Sequence, residues 1–190
     1  MPQLIGIKRQ ISSTSSAWTR TGLSEGLVAN ACLGTADDVK NDFDNIYPWS
    51  DIMSYNYDTN LNKITAYYGD INFRFDGSNG EVLTYIPKFY YKRYQEDGWE
   101  YIEICKYPKK GYIESPEFSV GRYLTSEDNS GNLHSISNAS ISIGKSIADY
   151  RNLTKNTLGT EFCLYDTRHF VLQLLYLVEY ADYNCQVKLR

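Results

Sequence analysis

One stretch, residues 165–186 (YDTRHFVLQLLYLVEYADYNCQ), constrains the fold of this chain more than any other. Phe170, Val171, Leu174, Leu175, Leu177, Val178 and Ala181 recur at a helical period and lay one broad apolar stripe along a helix predicted over 167–182. Asp166 stands where an N-cap is needed, its short carboxylate within reach of the backbone N–H near His169. Arg168 is placed to pair with Asp166 at the helix start, a contact that holds structure rather than doing chemistry. A stripe this wide has to be buried against other elements, so the helix cannot stand alone. Its opposite face carries Leu172, Tyr176, Glu179, Tyr180 and Tyr183 and is less polar than a helix back in water. That face is either covered by more of the same fold or offered to a partner. Leu172, Tyr176, Tyr180 and Tyr183 are therefore the candidate partner-contact residues.

The material available to bury the stripe reads as β-structure. Residues 64–68 form a short strand candidate, and 76–80 (DGSNG) form a turn. Residues 82–94 alternate, with Val82, Thr84 and Ile86 on one side and Leu83 and Tyr85 on the other. Pro87 cannot donate to a ladder and marks an edge or a bulge. After a turn at 95–98, residues 99–107 alternate again, and 82–107 is predicted as one long hairpin. Residues 1–50 show no clean period and read as loop-rich with a few short strands. Residues 108–160 hold turns at 109–111, 115–116 and 128–132, then a Ser-rich run at 135–146 that is either a strand pair or a weakly ordered connection. Residues 147–152 read as a short helix. The class is α+β, and the 190 residues fit one domain or two small ones.

Several function classes fall away on charge and spacing. The net charge is −4 and no basic run exceeds Lys109 and Lys110, which disfavours a nucleic-acid groove. No apolar run is long enough to span a membrane, and the N-terminal residues show no signal-peptide core. Cys32, Cys105, Cys163 and Cys185 lie far apart without metal-ligand spacing, so free, buried thiols are expected. His134 sits in a polar loop and His169 in the first turn of the helix, neither beside a carboxylate or nucleophile in a catalytic pattern. No metal, no cofactor and no catalytic residue is expected. The 18 Tyr, 7 Phe and 3 Trp suit a surface built to be touched.

Three blocks together resemble a known family. Residues 66–70 (AYYGD) followed by 76–92 (DGSNGEVLTYIPKFYYK) are similar to a signature of phage tail and prophage proteins. Residues 115–118 (SPEF) and 121–123 (GRY) resemble the next block, and 165–168 (YDTR), 174–181 (LLYLVEYA) and 184–186 (NCQ) the one after. The opening, 5–9 (IGIKR) through Trp18, and 43–49 look similar as well. Pro87, Phe89, Tyr90, Tyr165, Asp166 and Arg168 are the structural motif positions of the resemblance. The family resembles the variable proteins of diversity-generating retroelements, which have a C-type-lectin-like fold and act as receptor-binding or adhesion proteins.

The resemblance implies a lectin-like domain over 51–190 with residues 1–50 packed on it as an irregular region. It implies a non-enzymatic virion component, in a tail, fibre or head decoration, used for host attachment or particle assembly. Such a protein is made in the bacterial cytoplasm and resides in the virion. A bacterial surface adhesion or ligand-binding protein of the same fold is the alternative. A more remote one is an enzyme of the formylglycine-generating type, whose reactive cysteine pair finds no supporting motif at Cys163 and Cys185. The family continues past the 184–186 motif with strands and ligand-facing loops, whereas four residues follow here, and Cys185 stands where Ser is common. The resemblance leaves three readings: a shortened member, a structural relative or a piece of a longer chain; a lectin-like core cut there exposes apolar surface and strand edges. The expected partners are other virion proteins or a host-surface receptor, and the expected state is a homo-oligomer, a trimer, joined through the helix back. No ligand-contact residue of the family maps onto this sequence.

Overall fold

The computed structural model describes residues 4–30, 41–158 and 166–185, with the side chains of 154–158, Asp166 and Thr167 outside that description. Tyr165 and the 186 end of the helical motif also lie outside the described residues, as do Cys32 and Cys163. The protein is α+β: three antiparallel sheets and two α-helices among the described residues. The chain divides into two compact units at 51/52, 86/87, 116/117 and 165/166. The sequence reading placed a single boundary at residue 50.

The first unit holds 1–51, 87–116 and 166–190. Its sheet is built from β1 (Ile5–Gln10), β2 (Thr19–Gly22), β6 (Phe89–Glu96), β7 (Trp99–Cys105) and β8 (Ile113–Ser115), in the order β2-β1-β7-β6-β8. The hairpin β6–β7 turns on Asp97 and Gly98, both at positive φ (49° and 79°), flanked by the paired Glu96 and Trp99. A two-residue Asp-Gly turn of this kind has a backbone twist that matches the strands it joins. One sheet face is apolar because the register aligns Ile5 with Ile104 and Ile7 with Ile102, all buried. Helix α2 (Asp166–Tyr180) lies on β1 and β7 and contributes Val171, Leu174, Leu175 and Val178, each under a tenth exposed. The stripe read from the sequence is thus the buried face. Phe170 meets Tyr91 of β6 with ring centroids 5.8 Å apart. Ala181, at φ 52°, leaves the helical conformation and ends α2 two residues before the expected point. The helix starts at Asp166 itself, and the capping and Asp166–Arg168 contacts expected there lie outside the described side chains.

The predicted hairpin over 82–107 is corrected. Its second half is the β6–β7 hairpin, but β5 (Glu81–Ile86) belongs to a different sheet in the second unit. Pro87 is the reason. Without an N–H it cannot continue a ladder, and it restricts Ile86 to extended geometry, so the strand run breaks there. Pro87 is buried, and Phe89 just after it is fully buried.

The second unit holds 52–86 and 117–165. Its main sheet combines β3 (Met53–Asp58), β4 (Lys63–Tyr67), β5 and β9 (Phe118–Gly121) in the order β4-β3-β5-β9. Ala66, Phe73 and Val82 form a small buried cluster with Tyr123 against it. Asn56 is fully buried on the same sheet face, and its amide is paired at both ends with the backbone of Arg74: Nδ2 donates to the carbonyl at 2.7 Å and Oδ1 accepts the N–H at 2.8 Å. This pins residues 72–75 over the sheet and satisfies a polar group that burial would otherwise penalise. A small ribbon, β10 (Ser126–Glu127) with β11 (Leu133–His134), is closed by Asp128, whose carboxylate accepts from the N–H groups of Ser130 and Asn132. The turn expected at 128–132 is present. Helix α1 (Ile147–Leu158) is longer than the expected 147–152. Ser146 and Asp149 start it with a reciprocal capping pair: the Asp149 N–H donates to Ser146 Oγ and the Ser146 N–H to Asp149 Oδ2.

Candidate functional site

Three places gather side chains with chemistry: a cleft around Arg122, a cluster around His134, and the back of α2.

The Arg122 cleft is assembled by strand register in the second unit. Ser54 of β3 and Thr84 of β5 are direct cross-strand partners, and their hydroxyl oxygens are 3.1 Å apart. Arg122 follows the end of β9, held by its N–H on the carbonyl of Val82. Its guanidinium donates from Nη1 to Ser54 Oγ at 2.6 Å. The guanidinium carbon lies 5.5 Å from the ring centres of both Tyr68 and Phe75, in cation–π range. The rings themselves form a cluster, with Tyr68 edge-on to Phe73 at 5.5 Å and Phe73 edge-on to Phe75 at 4.9 Å. Tyr68 is 62% exposed and Phe75 38%. Ile52, Met53, Ser54, Tyr68, Thr84 and Arg122 line a depression of about 520 Å³. It combines a fixed cation, a hydroxyl pair and open aromatic faces. Tyr67, Ile71 and Ile64 extend the exposed apolar surface nearby in sequence.

His134 was expected in a polar loop; it lies in β11, where its imidazole has two carboxylate neighbours. Its Nδ1 lies 2.7 Å from Glu81 Oε1, and its Nε2 is 3.4 Å from Asp128 Oδ2. The other oxygen of Glu81 accepts the N–H of Ser135 at 2.6 Å. Glu81 comes from β5, so nothing local in the sequence announced the pair. Burial would lower the His134 pKa, but the bonds and charges of Glu81 and Asp128 outweigh it and raise the value above 6.5. Asp128 is held down to about 2 by the side chain and N–H of Asn132, with further help from His134 and Ser130. Protonated, His134 directs both ring N–H groups at carboxylates. The cluster fastens the β10–β11 ribbon to β5. Among the described residues, no three His, Cys, Asp or Glu stand together as a metal site.

The back of α2 is half-buried within its own unit. Leu172, Tyr176 and Tyr180 are each partly covered, and the rings of Tyr176 and Tyr180 stack at 4.9 Å. Burial pushes the Tyr180 hydroxyl up to about 12 and raises Glu179, whose Oε1 accepts from Asn41 at 2.7 Å. Arg20 caps the C-terminal end: Nη1 donates to the carbonyl of Val178 at 2.8 Å and Nη2 to that of Glu179, where a cation complements the helix dipole. Tyr183, 40% exposed, packs edge-on to Trp18 at 5.4 Å and under the guanidinium of Arg9 at 4.8 Å. So residues from the N-terminal segment cover part of this face. The Tyr176 hydroxyl is buried with no hydrogen-bond partner among the described residues.

Phe89 is core, and Tyr90 donates to Glu114 Oε2 at 2.8 Å across β6 and β8. His169 is exposed and bonded to Gln173 on the next turn. Cys105 is a buried free thiol, whereas Cys185 is exposed, against the expectation of burial. No helix among the described residues is long and apolar enough to cross a membrane. Sequence reading assigned no role to Arg122, Ser54, Thr84, Tyr68 or Phe75. Arg122 did stand inside the 121–123 block, Tyr68 inside 66–70 and Thr84 inside 76–92, and those blocks were the available signal. Compared with known protein families, curated proteins and solved structures, the chain matches none.

Proposed function

We propose that this chain is a non-enzymatic virion component of a phage or prophage that attaches the particle to its host, with the Arg122 cleft as its contact site. The cleft carries the proposal: an arginine within cation–π range of two neighbouring exposed aromatic rings, beside paired hydroxyls, is a recognition surface. The resemblance of the three sequence blocks to phage tail proteins supplies the setting. A C-type-lectin-like arrangement is the finer fold we propose. Its support is the antiparallel β6–β7 hairpin, the two helices and the long irregular connections. Its partners are then a host-surface receptor and neighbouring virion proteins. Adsorption competition tests the reading. Excess purified chain should lower the adsorption rate of the particles that carry it, and the Arg122→Gln variant should compete poorly. Equal adsorption with and without the chain would contradict an attachment role.

A further inference from the structure

We propose that the Arg122 cleft binds a carboxylate-bearing sugar of a surface glycan, an inference that rests on the attachment role above and gives it a ligand class. The other arginines with described contacts are committed within the fold. Arg9 and Arg93 converge on Glu100, at 3.1 and 2.5 Å. Arg20 is spent on the carbonyls at the end of α2, and Arg74 on those of Ile71 and Phe73. Arg122 differs: its described side-chain partners are one hydroxyl and two ring faces, and no carboxylate lies within 4.0 Å among the described residues. The guanidinium carries five N–H donors in a fixed fork, and Nη1 gives one to Ser54. The fork geometry matches the two oxygens of a carboxylate.

The rest of the cleft selects what carries the carboxylate. The rings hold the guanidinium in place, so little side-chain freedom is lost on binding. The exposed ring of Tyr68 suits the C–H face of a pyranose, and the half-buried Thr84 hydroxyl, backed by the buried Ser54, can exchange a hydrogen bond with a sugar hydroxyl. A depression of about 520 Å³ lies within the range of small-ligand sites, roughly 300–1,000 Å³. The chain's net charge of −4 opposes a polyanion held by charge alone, so the anion must be recognised by this one fork together with ring and hydroxyl contacts.

Calorimetric titration of the full chain decides it, with a glucuronic-acid disaccharide as the probe. The matching glucose disaccharide, sodium acetate, inorganic phosphate and an aspartate-containing tetrapeptide serve as the comparison arms. The acidic disaccharide should bind with measurable heat, at least about tenfold tighter than each comparison probe, as a charge-assisted fork contact implies. Arg122→Gln should abolish that preference and Arg122→Lys should weaken it. Tyr68→Ala should weaken both disaccharides alike. Circular dichroism confirms that the variants fold, which the exposure of both side chains favours. Absent binding, equal binding of acetate, phosphate or the peptide, or unchanged binding by Arg122→Gln would each overturn the proposal. Adsorption competition separates the two readings: a chain that competes with particles but ignores the acidic sugar loses the ligand class alone, and one that does neither loses the attachment role as well.

Discussion

His134 shows how one residue ties a peripheral ribbon to a sheet. Its imidazole faces Glu81 of β5 and Asp128 of the β10–β11 turn, and its folded pKa lies above the ordinary 6.5. A raised cationic pKa contributes stability that is fully present below about 6.5 and is lost as pH rises through the folded value. Asp128, depressed from 3.8 to about 2, works in the other direction: its contribution is present above about 3.8 and lost as pH falls toward 2. The ribbon should therefore be most firmly held between those limits. Hydrogen exchange at the Ser135 N–H, corrected for intrinsic rate, should show greatest protection there and less above the folded His134 pKa. His134→Gln should flatten the alkaline limb. A wild-type profile flat across that limb would refute the clamp. The contact was not legible beforehand, because Glu81 and His134 are 53 residues apart and each reads as an ordinary loop or strand polar residue. The Arg122 cleft was hidden for the same reason. It depends on the pairing of Ser54 with Thr84, a register that appears once β3 and β5 are joined.

At the scale of elements, helix α2 was the most readable because its signal is local. A 3.6-residue period over one stretch names both the helix and its buried face, and Val171, Leu174, Leu175 and Val178 are that face. Leu174→Ala removes a side chain that is 1% exposed and leaves a cavity under the sheet, costing roughly 2–5 kcal/mol. Leu172→Ala, on the half-buried back, should cost clearly less. Chemical denaturation of both variants checks the order, and equal midpoints would contradict the packing. Strands were harder. Alternation looks the same on both sides of Pro87, so it could not tell a bulge within one hairpin from a break between two sheets. β1 escaped notice because its apolar content is Ile5 and Ile7 in a polar setting. Its partners on β7 lie about a hundred positions later in the chain, where Ile7 faces Ile102. The Asp97-Gly98 turn, in contrast, was visible because its chemistry is contained in two residues.

For the whole molecule, the proposed assembly and the proposed role stand on separate measurements. The sequence alone left the back of α2 as either covered or free. The structure covers it in part with Trp18, Asn41 and Arg20, while Tyr183 remains 40% exposed and the Tyr176 hydroxyl is buried without a partner among the described residues. We propose a homo-oligomer, a trimer, that closes over the remainder of this face. Light scattering at micromolar concentration should give about three times the 21.9 kDa of one chain, and Tyr183→Asp should shift it toward one chain's mass. A monodisperse particle of 21.9 kDa would contradict the assembly. The central claim is residence in a virion, and it is tested most directly by quantitative mass spectrometry of gradient-purified particles from a strain that encodes this chain. Its peptides should co-purify with the particles at a fixed ratio to the known tail proteins through successive gradients. Peptides confined to the cell envelope or the cytosolic fraction, with purified particles free of them, would contradict it.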